Sequence, residues 1–364
     1  MNERPAARST LAPLSTPDDL VTVVIPARNE ESFIRPCLDS VLAQDHSNLQ
    51  VLVVDGASAD RTAQIGREYM ERDPRVLLLH NPDSVIPRSL NLALDAARGR
   101  WLIRVDAHAS IPPGYVRMAV AHLRTGRWGG VGGRKDGVGV TPAGRAIAAA
   151  MGSRFGVGNS TYHYGTHTQL VDHIPFGAYP TALVRELGGW DEQCAVNQDF
   201  EFDFRLRKKG YQLLFDPGLT IDWYCRQSIP DVFHQYRRYG RGKSLVARLH
   251  PESTRLRHLA APALVAYLAG SAALALRRPR IAAAAVSPYL AGVAAASVAT
   301  SRKLNDRSSR LRLPAAFAAM HLGWGIGFWQ GLIEMLRPHS RSVRRTTRPS
   351  PSARSRAHRH PGQP

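Results

Sequence analysis

The chain has 364 residues, 44% of them hydrophobic, which is enough for one large folded domain and a smaller appendage. Its 48 Lys and Arg against 29 Asp and Glu give a net charge of +19, which indicates an anionic partner. The three cysteines (Cys37, Cys194 and Cys225) are far apart and form no CxxC pair. This spacing argues against a disulfide framework and favours a reducing, cytoplasmic setting. Segment 1–19 is polar and Pro-rich, has no apolar core of a secretory signal, and is expected to be disordered.

Strand and helix signals alternate from residue 20 onward. Apolar runs at 20–25, 50–54, 75–80 and 100–108 predict buried strands, and the segments between them carry apolar residues at helical spacing. Nearly continuous apolar strands joined by helices are typical of an α/β fold, with a mostly parallel sheet and helices on both faces. Ligands of such sheets bind at the carboxyl ends of the strands, where several polar residues fall here.

Asp106 and His108 end the fourth predicted strand at positions i and i+2. In an extended segment these side chains point the same way, so both could reach one ligand. The alternative is a solvated strand end followed by a turn.

Two further segments allow other interpretations. The glycine-rich segment 126–139 lacks GxGxxG spacing, so turns and a short hairpin are favoured over a dinucleotide site of a Rossmann oxidoreductase. His163 and His167 have the spacing of a zinc pair on a helix, but Gly165 between them favours a loop.

Segment 197–210 predicts a helix that ends at Gly210. Glu201 with Arg205, and Asp203 with Arg207, are expected to form ion pairs one turn apart. Asp199 has no such partner, and its minimal role is an acid near the helix N-terminus. The aromatic neighbours of Asp199 predict partly apolar surroundings, and hence a raised carboxyl pKa.

The composition changes after residue 243. Leu259–Leu276, Ile281–Ala299 and Pro314–Leu336 are apolar and of membrane-spanning length, although buried helices of a soluble protein remain an alternative. Segment 337–364 has eight arginines and no acid, and is expected to be a disordered basic tail. Beside apolar segments such a tail favours a membrane surface over nucleic acid.

Six motifs in order carry a resemblance to a known family: VVIPARNEE, VLVVDGASADRT, RVDAHA, FGAYP, NQDFEFDFRLRKKG and QYRRYGRGK. They resemble the motifs of family 2 glycosyltransferases with a GT-A (Rossmann-like) fold, and most of all the succinoglycan-type exopolysaccharide subgroup. The resemblance implies a GT-A domain at residues 20–243. It also implies a membrane-associated helical region at 244–336.

The resemblance also implies the roles of individual residues. Those expected to bind the donor nucleotide are Pro26, Arg28, Asn29, Glu30, Asp55, Arg88 and Asp106. Asp106 and His108 match the metal motif and imply a divalent cation, and the imidazole nitrogen suits Mn²⁺ better than Mg²⁺. Asp199 is implied as the catalytic base. Gln235, Arg238 and Tyr239 match a QxxRW motif, with Tyr in place of Trp, and are expected on the acceptor and diphosphate side.

The implied activity is an inverting transfer of a sugar from a UDP- or GDP-sugar to a polyprenyl-phosphate-linked or glycan acceptor in cell-surface polysaccharide synthesis. The implied location is the inner membrane, in contact with its lipids, with a cytoplasmic catalytic domain and no nucleic-acid partner. A sugar nucleotidyltransferase is one alternative, but it has no need of membrane segments. A catalytically inactive membrane scaffold is another alternative, but a scaffold would not need the three carboxylates Asp55, Asp106 and Asp199.

Overall fold

A computed structural model describes residues 19–336 of the chain. The expectations for segments 1–18 and 337–364 lie outside the described residues. Asp19, the last residue of the segment expected to be disordered, is buried and forms an ion pair with Arg124.

The strands of the described residues join in one sheet of nine strands, with the spatial order β3-β2-β1-β4-β8-β6-β9-β5 and with β7 paired to β9. Their bounds are β1 Val21–Ala27, β2 Leu49–Asp55, β3 Val76–His80, β4 Trp101–Arg104, β5 Ala109–Ser110, β6 Gly130–Val138, β7 Gln169–Val171, β8 Ala178–Pro180 and β9 Leu213–Tyr224.

The α-helices lie mainly between and after these strands. Their bounds are α1 Ile34–Leu42, α2 Thr62–Arg72, α3 Ile86–Ala96, α4 Tyr115–Arg124, α5 Pro142–Met151, α6 Arg154–Val157, α7 Thr181–Glu186, α8 Gln198–Lys208, α9 Ile229–Leu249, α10 Leu256–Ala275, α11 Pro279–Ser301 and α12 Arg307–Leu336.

Helices cover both faces of the sheet, as the continuous apolar strands predicted. Val23 points into a core cluster shared with α1, α2, α4 and α5, whereas its neighbour Val24 points into the opposite cluster with α3, α7 and α8. Because successive side chains of a strand face opposite sides, a strand buried on both faces must be almost continuously apolar. This explains the apolar run from Val51 to Val54 in β2, whereas in β1 the buried hydroxyl of Thr22 donates to the side chain of Gln50.

The sheet is parallel in its first half and mixed in its second. Strands β1 to β4 pair in parallel, as expected, but β8 pairs antiparallel to both β4 and β6. Strand β8 has only three residues, which is too short for a periodic signal in the sequence. The expectation of turns and a hairpin at 126–139 is wrong, because β6 runs through this segment parallel to β9.

Strand β4 stops at Arg104, earlier than the sequence suggested. The amide of Ala109 donates to the carbonyl of Asp106 over 2.9 Å, so residues 106–109 form a turn. The argument that Asp106 and His108 share a direction because the chain is extended is therefore wrong. Other contacts position the two side chains, as described below.

Two of the three apolar stretches form helices long and apolar enough to cross a membrane, α10 and α11. The third, expected at 314–336, instead packs against α9 through glycines. A Cβ on Gly327 would lie 1.9 Å from the carbonyl oxygen of Arg237, and one on Gly240 would lie 2.0 Å from that of Trp324. Helix α9 itself continues without a break past residue 243 to Leu249.

Candidate active site

The loops that follow β1 and β2 are locked together by hydrogen bonds. The side-chain carbonyl of Asn29 accepts from the amide of Ala59 at 2.8 Å, and the Ser58 hydroxyl accepts from the amide of Asn29 at 3.0 Å. The Thr62 hydroxyl accepts from the amide of Glu30 at 2.7 Å. Asn29 adopts a left-handed backbone with φ of 55°, a conformation that this network holds in place.

Three further residues expected at the nucleotide lie at these strand ends. Pro26 is in β1 opposite Val54 of β2, and Arg28 is exposed directly after β1. Asp55 ends β2 and is buried, with its carboxylate 3.3 Å from the amide of Ser58 and 3.6 Å from Nδ1 of His80.

Arg88 lies apart from these residues, in the first turn of α3. Its guanidinium is 3.3 Å from the carboxylate of Glu192 and 3.7 Å from that of Asp83. These acids neutralise Arg88, so a phosphate would have to displace them to pair with it.

The expected metal ligands Asp106 and His108 are each held by a second side chain. Arg104 donates to Oδ1 of Asp106 at 2.9 Å, and Nδ1 of His108 is 2.9 Å from Oε1 of Glu30. A carboxylate on one imidazole nitrogen fixes the ring and leaves Nε2 for a cation, as is usual for metal-binding histidines. Within residues 19–336 no group of three or more His, Cys, Asp or Glu side chains could hold a metal ion.

Asp199 lies in the first turn of α8 and is only partly exposed. Its Oδ1 accepts from the amide of Phe200 at 2.8 Å, and its Oδ2 is 3.9 Å from Nε2 of His173. Burial would raise the carboxyl pKa, but the positive charges of His173, Arg104 and Lys135 hold the pKa of Asp199 below its ordinary value. The expectation of a raised pKa is therefore wrong, because local sequence does not show cations from other strands.

His173 links Asp199 to a second carboxylate, that of Asp203. Nδ1 of His173 is 2.7 Å from the fully buried carboxylate of Asp203, which also accepts from the Tyr179 hydroxyl at 2.8 Å. Burial opposes protonation, but Asp199 and Asp203 raise the pKa of His173. The expected pair between Asp203 and Arg207 does not form, because α8 turns Asp203 toward the sheet. The other expected pair, Glu201 with Arg205, is confirmed at 2.7 Å.

Two buried cations interact with both the expected metal ligand Asp106 and the catalytic candidate Asp199. They are Arg104 on β4 and Lys135 on β6, and each interaction is electrostatic. Lys135 is 9% exposed, with its ammonium 3.5 Å from the ring centroid of Trp223. Burial lowers its pKa to about 8, although the two carboxylates oppose the shift. Sequence reasoning missed Lys135, because its strand was interpreted as glycine-rich turns.

The QxxRY residues lie on α9, and only one of them is clearly near the carboxylates. Burial and the charges of Asp199 and Asp106 raise the pKa of Tyr239 to about 12. The carbonyl of Tyr239 accepts from the side-chain amide of Asn197 at 3.0 Å, which ties α9 to the start of α8. Gln235 is buried, and its Oε1 has no partner among the described residues. Arg238 is exposed.

Comparison with known proteins identifies the class to which this sheet and site belong. The family model described as glycosyl transferase family 2 matches residues 22–186. A relative that the chain covers almost completely is 32% identical, so the chain belongs to the family 2 glycosyltransferases.

Within the family the chain is of the succinoglycan type. That relative is the succinoglycan biosynthesis protein ExoA of Rhizobium meliloti (strain 1021), and the match covers 86% of this chain and 96% of the relative. A glycosyltransferase of Methanococcus voltae, named as acting on a dolichyl N-acetylglucosaminyl phosphate, is 25% identical over 63% of this chain and 74% of its own length.

A solved structure confirms the GT-A-like fold. The mannosyltransferase PcManGT from Pyrobaculum calidifontis, solved with GDP-Man and Mn²⁺, superimposes with a TM-score of 0.61. It covers 89% of this chain and 90% of its own, at 22% identity.

Proposed function

We propose that this glycosyltransferase moves a sugar, with inversion, from a UDP- or GDP-sugar to a polyprenyl-phosphate-linked or glycan acceptor in cell-surface polysaccharide synthesis. One observation carries the proposal. Asp106 accepts a hydrogen bond from Arg104 at 2.9 Å, and both Asp106 and Asp199 interact electrostatically with Arg104, Lys135 and Tyr239, so the two carboxylates act on the same three side chains. One carboxylate can serve the diphosphate of a donor, and the other the hydroxyl of an acceptor.

In the proposed reaction the acceptor hydroxyl oxygen attacks the anomeric carbon. The bond from that carbon to the diphosphate oxygen breaks, and its electron pair leaves with the nucleoside diphosphate. Asp199 takes the hydroxyl proton, and its lowered pKa keeps it ionised and ready at neutral pH. A single displacement of this kind inverts the anomeric centre. Lys135 and Arg104 offer positive charge where negative charge develops on the leaving group.

A divalent cation, Mn²⁺ or Mg²⁺, would be held by Oδ2 of Asp106 and Nε2 of His108. The arrangement of Arg104 and Glu30 behind these atoms fits a cation, because it orients both ligands. When bound, the cation would neutralise the diphosphate charge. PcManGT, whose structure contains Mn²⁺ and GDP-Man, supports both the cation and a nucleotide-sugar donor.

The proposed location is the inner membrane, with membrane lipids as partners and the catalytic domain in the cytoplasm. Helices α10 and α11 are long and apolar enough to cross a bilayer. Their buried share is small, 17% in each, so most of their apolar surface is free to contact lipid. The Methanococcus voltae relative, whose name includes a dolichyl-linked substrate, supports a lipid-linked acceptor.

The Asp199→Asn variant tests the base, with nucleotide affinity and sugar transfer measured on one preparation. We expect transfer to fall by ~10²–10⁴ and nucleotide affinity to stay within a few-fold, because the nucleotide loops lie on other strands. Asp45→Asn, at an exposed carboxylate paired with Arg117, is the matched control and should retain activity. If Asp199→Asn transfers sugar within a few-fold of wild type, Asp199 is not the base and serves only as an acid at the helix N-terminus.

A further inference from the structure

A polar cavity of about 430 Å³ lies beside the candidate active site, between the loop after α6 and the start of α10. The lining side chains that matter here are Arg154, Thr161, Tyr164, His167, Asp172 and Arg257. Arg257 and Asp172 form an ion pair, and Arg154 lies over the ring of Tyr164, 5.2 Å from its centroid.

Positive charge exceeds negative charge around this cavity. Besides Arg154 and Arg257, the buried Lys243 and the half-buried Arg207 interact electrostatically with Asp172. The Lys243 ammonium has no hydrogen-bond partner among the described residues, and neither has Nε of Arg207. Lys243 is only 2% exposed, and a buried cation whose charge is offset only in part, here by Asp172, is costly. A second negative charge in this region would therefore be stabilised.

One lining residue of the cavity precedes His173, the neighbour of Asp199, and another belongs to a helix of membrane-spanning length. Asp172 directly precedes His173, whose Nε2 is 3.9 Å from Asp199. Arg257 is in the first turn of α10, a helix long and apolar enough to cross a bilayer. An anionic group bound here would lie between the site of proton transfer and the lipid, where a lipid-linked sugar carries its phosphate.

We propose that this cavity binds the phosphate or diphosphate of the lipid-linked acceptor, with Arg154 and Arg257 contacting its oxygens. The proposal rests on the proposed function and adds the anionic subsite for the acceptor. Arginine suits the role, since its planar guanidinium donates two parallel hydrogen bonds to phosphate oxygens. Asp172 orients Arg257 and keeps the empty cavity from carrying only positive charge.

Binding of farnesyl diphosphate to the full chain in detergent micelles tests the proposal, with farnesol as the probe that lacks phosphate. We expect farnesyl diphosphate to bind at least tenfold more tightly than farnesol. Arg154→Gln should remove most of that difference, because it removes a guanidinium that contacts the phosphate. The fold should stay intact, because Arg154 makes no ion pair within residues 19–336. Arg67→Gln, at an exposed arginine of α2, is the matched control and should change nothing.

Arg257→Gln and Arg257→Lys give an independent check. Gln should weaken binding as Arg154→Gln does, whereas Lys should restore part of it because the charge remains. Equal binding of farnesyl diphosphate to wild type, Arg154→Gln and Arg257→Gln would overturn the proposal.

Competition experiments distinguish the phosphate of a lipid-linked acceptor from a nucleotide phosphate and from a phospholipid headgroup. Saturating UDP or GDP should leave farnesyl diphosphate binding unchanged, and displacement would assign the probe to the donor site and overturn the proposal. Phosphatidylglycerol vesicles that compete as well as farnesyl diphosphate would also overturn it, in favour of a phospholipid headgroup. Failure of the proposed function would appear differently, as absence of sugar transfer while phosphate-dependent binding still requires Arg154.

Discussion

We predict that Lys243→Met stabilises the folded protein, and the structure gives the magnitude of the change in the free energy of unfolding. Burial and the nearby Arg257 lower the pKa of the Lys243 ammonium from 10.5 to about 7. A shift of about 3.5 pKa units, at about 1.4 kcal/mol each, makes the buried charge cost about 5 kcal/mol. Methionine keeps the volume and removes this cost, but it loses the contact of the ammonium with the Phe200 ring at 3.3 Å, worth about 1–2 kcal/mol. The net expected stabilisation is about 3 kcal/mol.

The stabilisation expected from Lys243→Met depends on pH. A lysine whose pKa is lowered by folding destabilises the folded state fully below pH 7, where both states are protonated. The cost is relieved as pH rises from about 7 toward 10.5, because the folded state loses its proton first. Lys243→Met should therefore stabilise the protein most at pH 6 and little near pH 10.

Thermal unfolding in detergent is the assay. With an unfolding entropy of ~2.1 cal/mol/K per residue, about 3 kcal/mol in a chain of this size raises Tm by about 4 °C at pH 6. Lys209→Met, at an exposed lysine at the end of α8, is the control and should show no pH-dependent gain. An equal effect of Lys243→Met at pH 6 and pH 9.5, or a loss at pH 6, would refute the reasoning.

Three further predictions concern the metal, the α9–α12 contact and the membrane. Chelator should abolish transfer, Mn²⁺ should restore it best, and His108→Asp should shift the preference toward Mg²⁺ as oxygen replaces nitrogen; full activity in chelator would contradict this. Gly327→Ala places a Cβ against the backbone of Arg237 and should lower the free energy of unfolding by about 1–3 kcal/mol. Gly270→Ala, with open space around it, is the control and should not. Equal Tm values for the two variants would contradict the packing of α12 against α9. The full chain should stay in the membrane pellet after alkaline carbonate washing, and release into the supernatant would contradict the spanning assignment of α10 and α11.

The sequence was sufficient to predict the first half of the sheet, because each parallel strand buried on both faces appears as an almost continuous apolar run, such as Val51–Val54. It was insufficient for β6, where Gly132 and Gly133 suggested turns although the strand needs them for close packing. A Cβ on Gly133 would lie 1.6 Å from the carbonyl oxygen of Leu219. Glycine in a strand and glycine in a turn look alike until the neighbouring chain is known.

The candidate site was predictable where it depends on strand ends and unpredictable where it depends on contacts across the sheet. Asp106, His108 and Asp199 were proposed from motifs. Lys135 and the His173 link to Asp203 were not, because partners 30 or more residues apart leave no local pattern. The same missing information produced the wrong sign for the pKa shift of Asp199, whose pKa is lowered by His173 and by the cations Arg104 of β4 and Lys135 of β6.

The most direct test of the central claim is incubation of the purified full chain with UDP- and GDP-sugars, Mn²⁺ and a lipid-linked acceptor fraction. The account predicts release of nucleoside diphosphate from one donor, with the sugar recovered in the lipid fraction with inverted anomeric configuration. Asp106→Asn and Asp199→Asn should both lower the transfer by at least ~10². Retention of configuration would contradict the single displacement. Formation of nucleotide-sugar from a nucleoside triphosphate and a sugar phosphate, with no transfer to lipid or glycan, would contradict the proposed reaction itself.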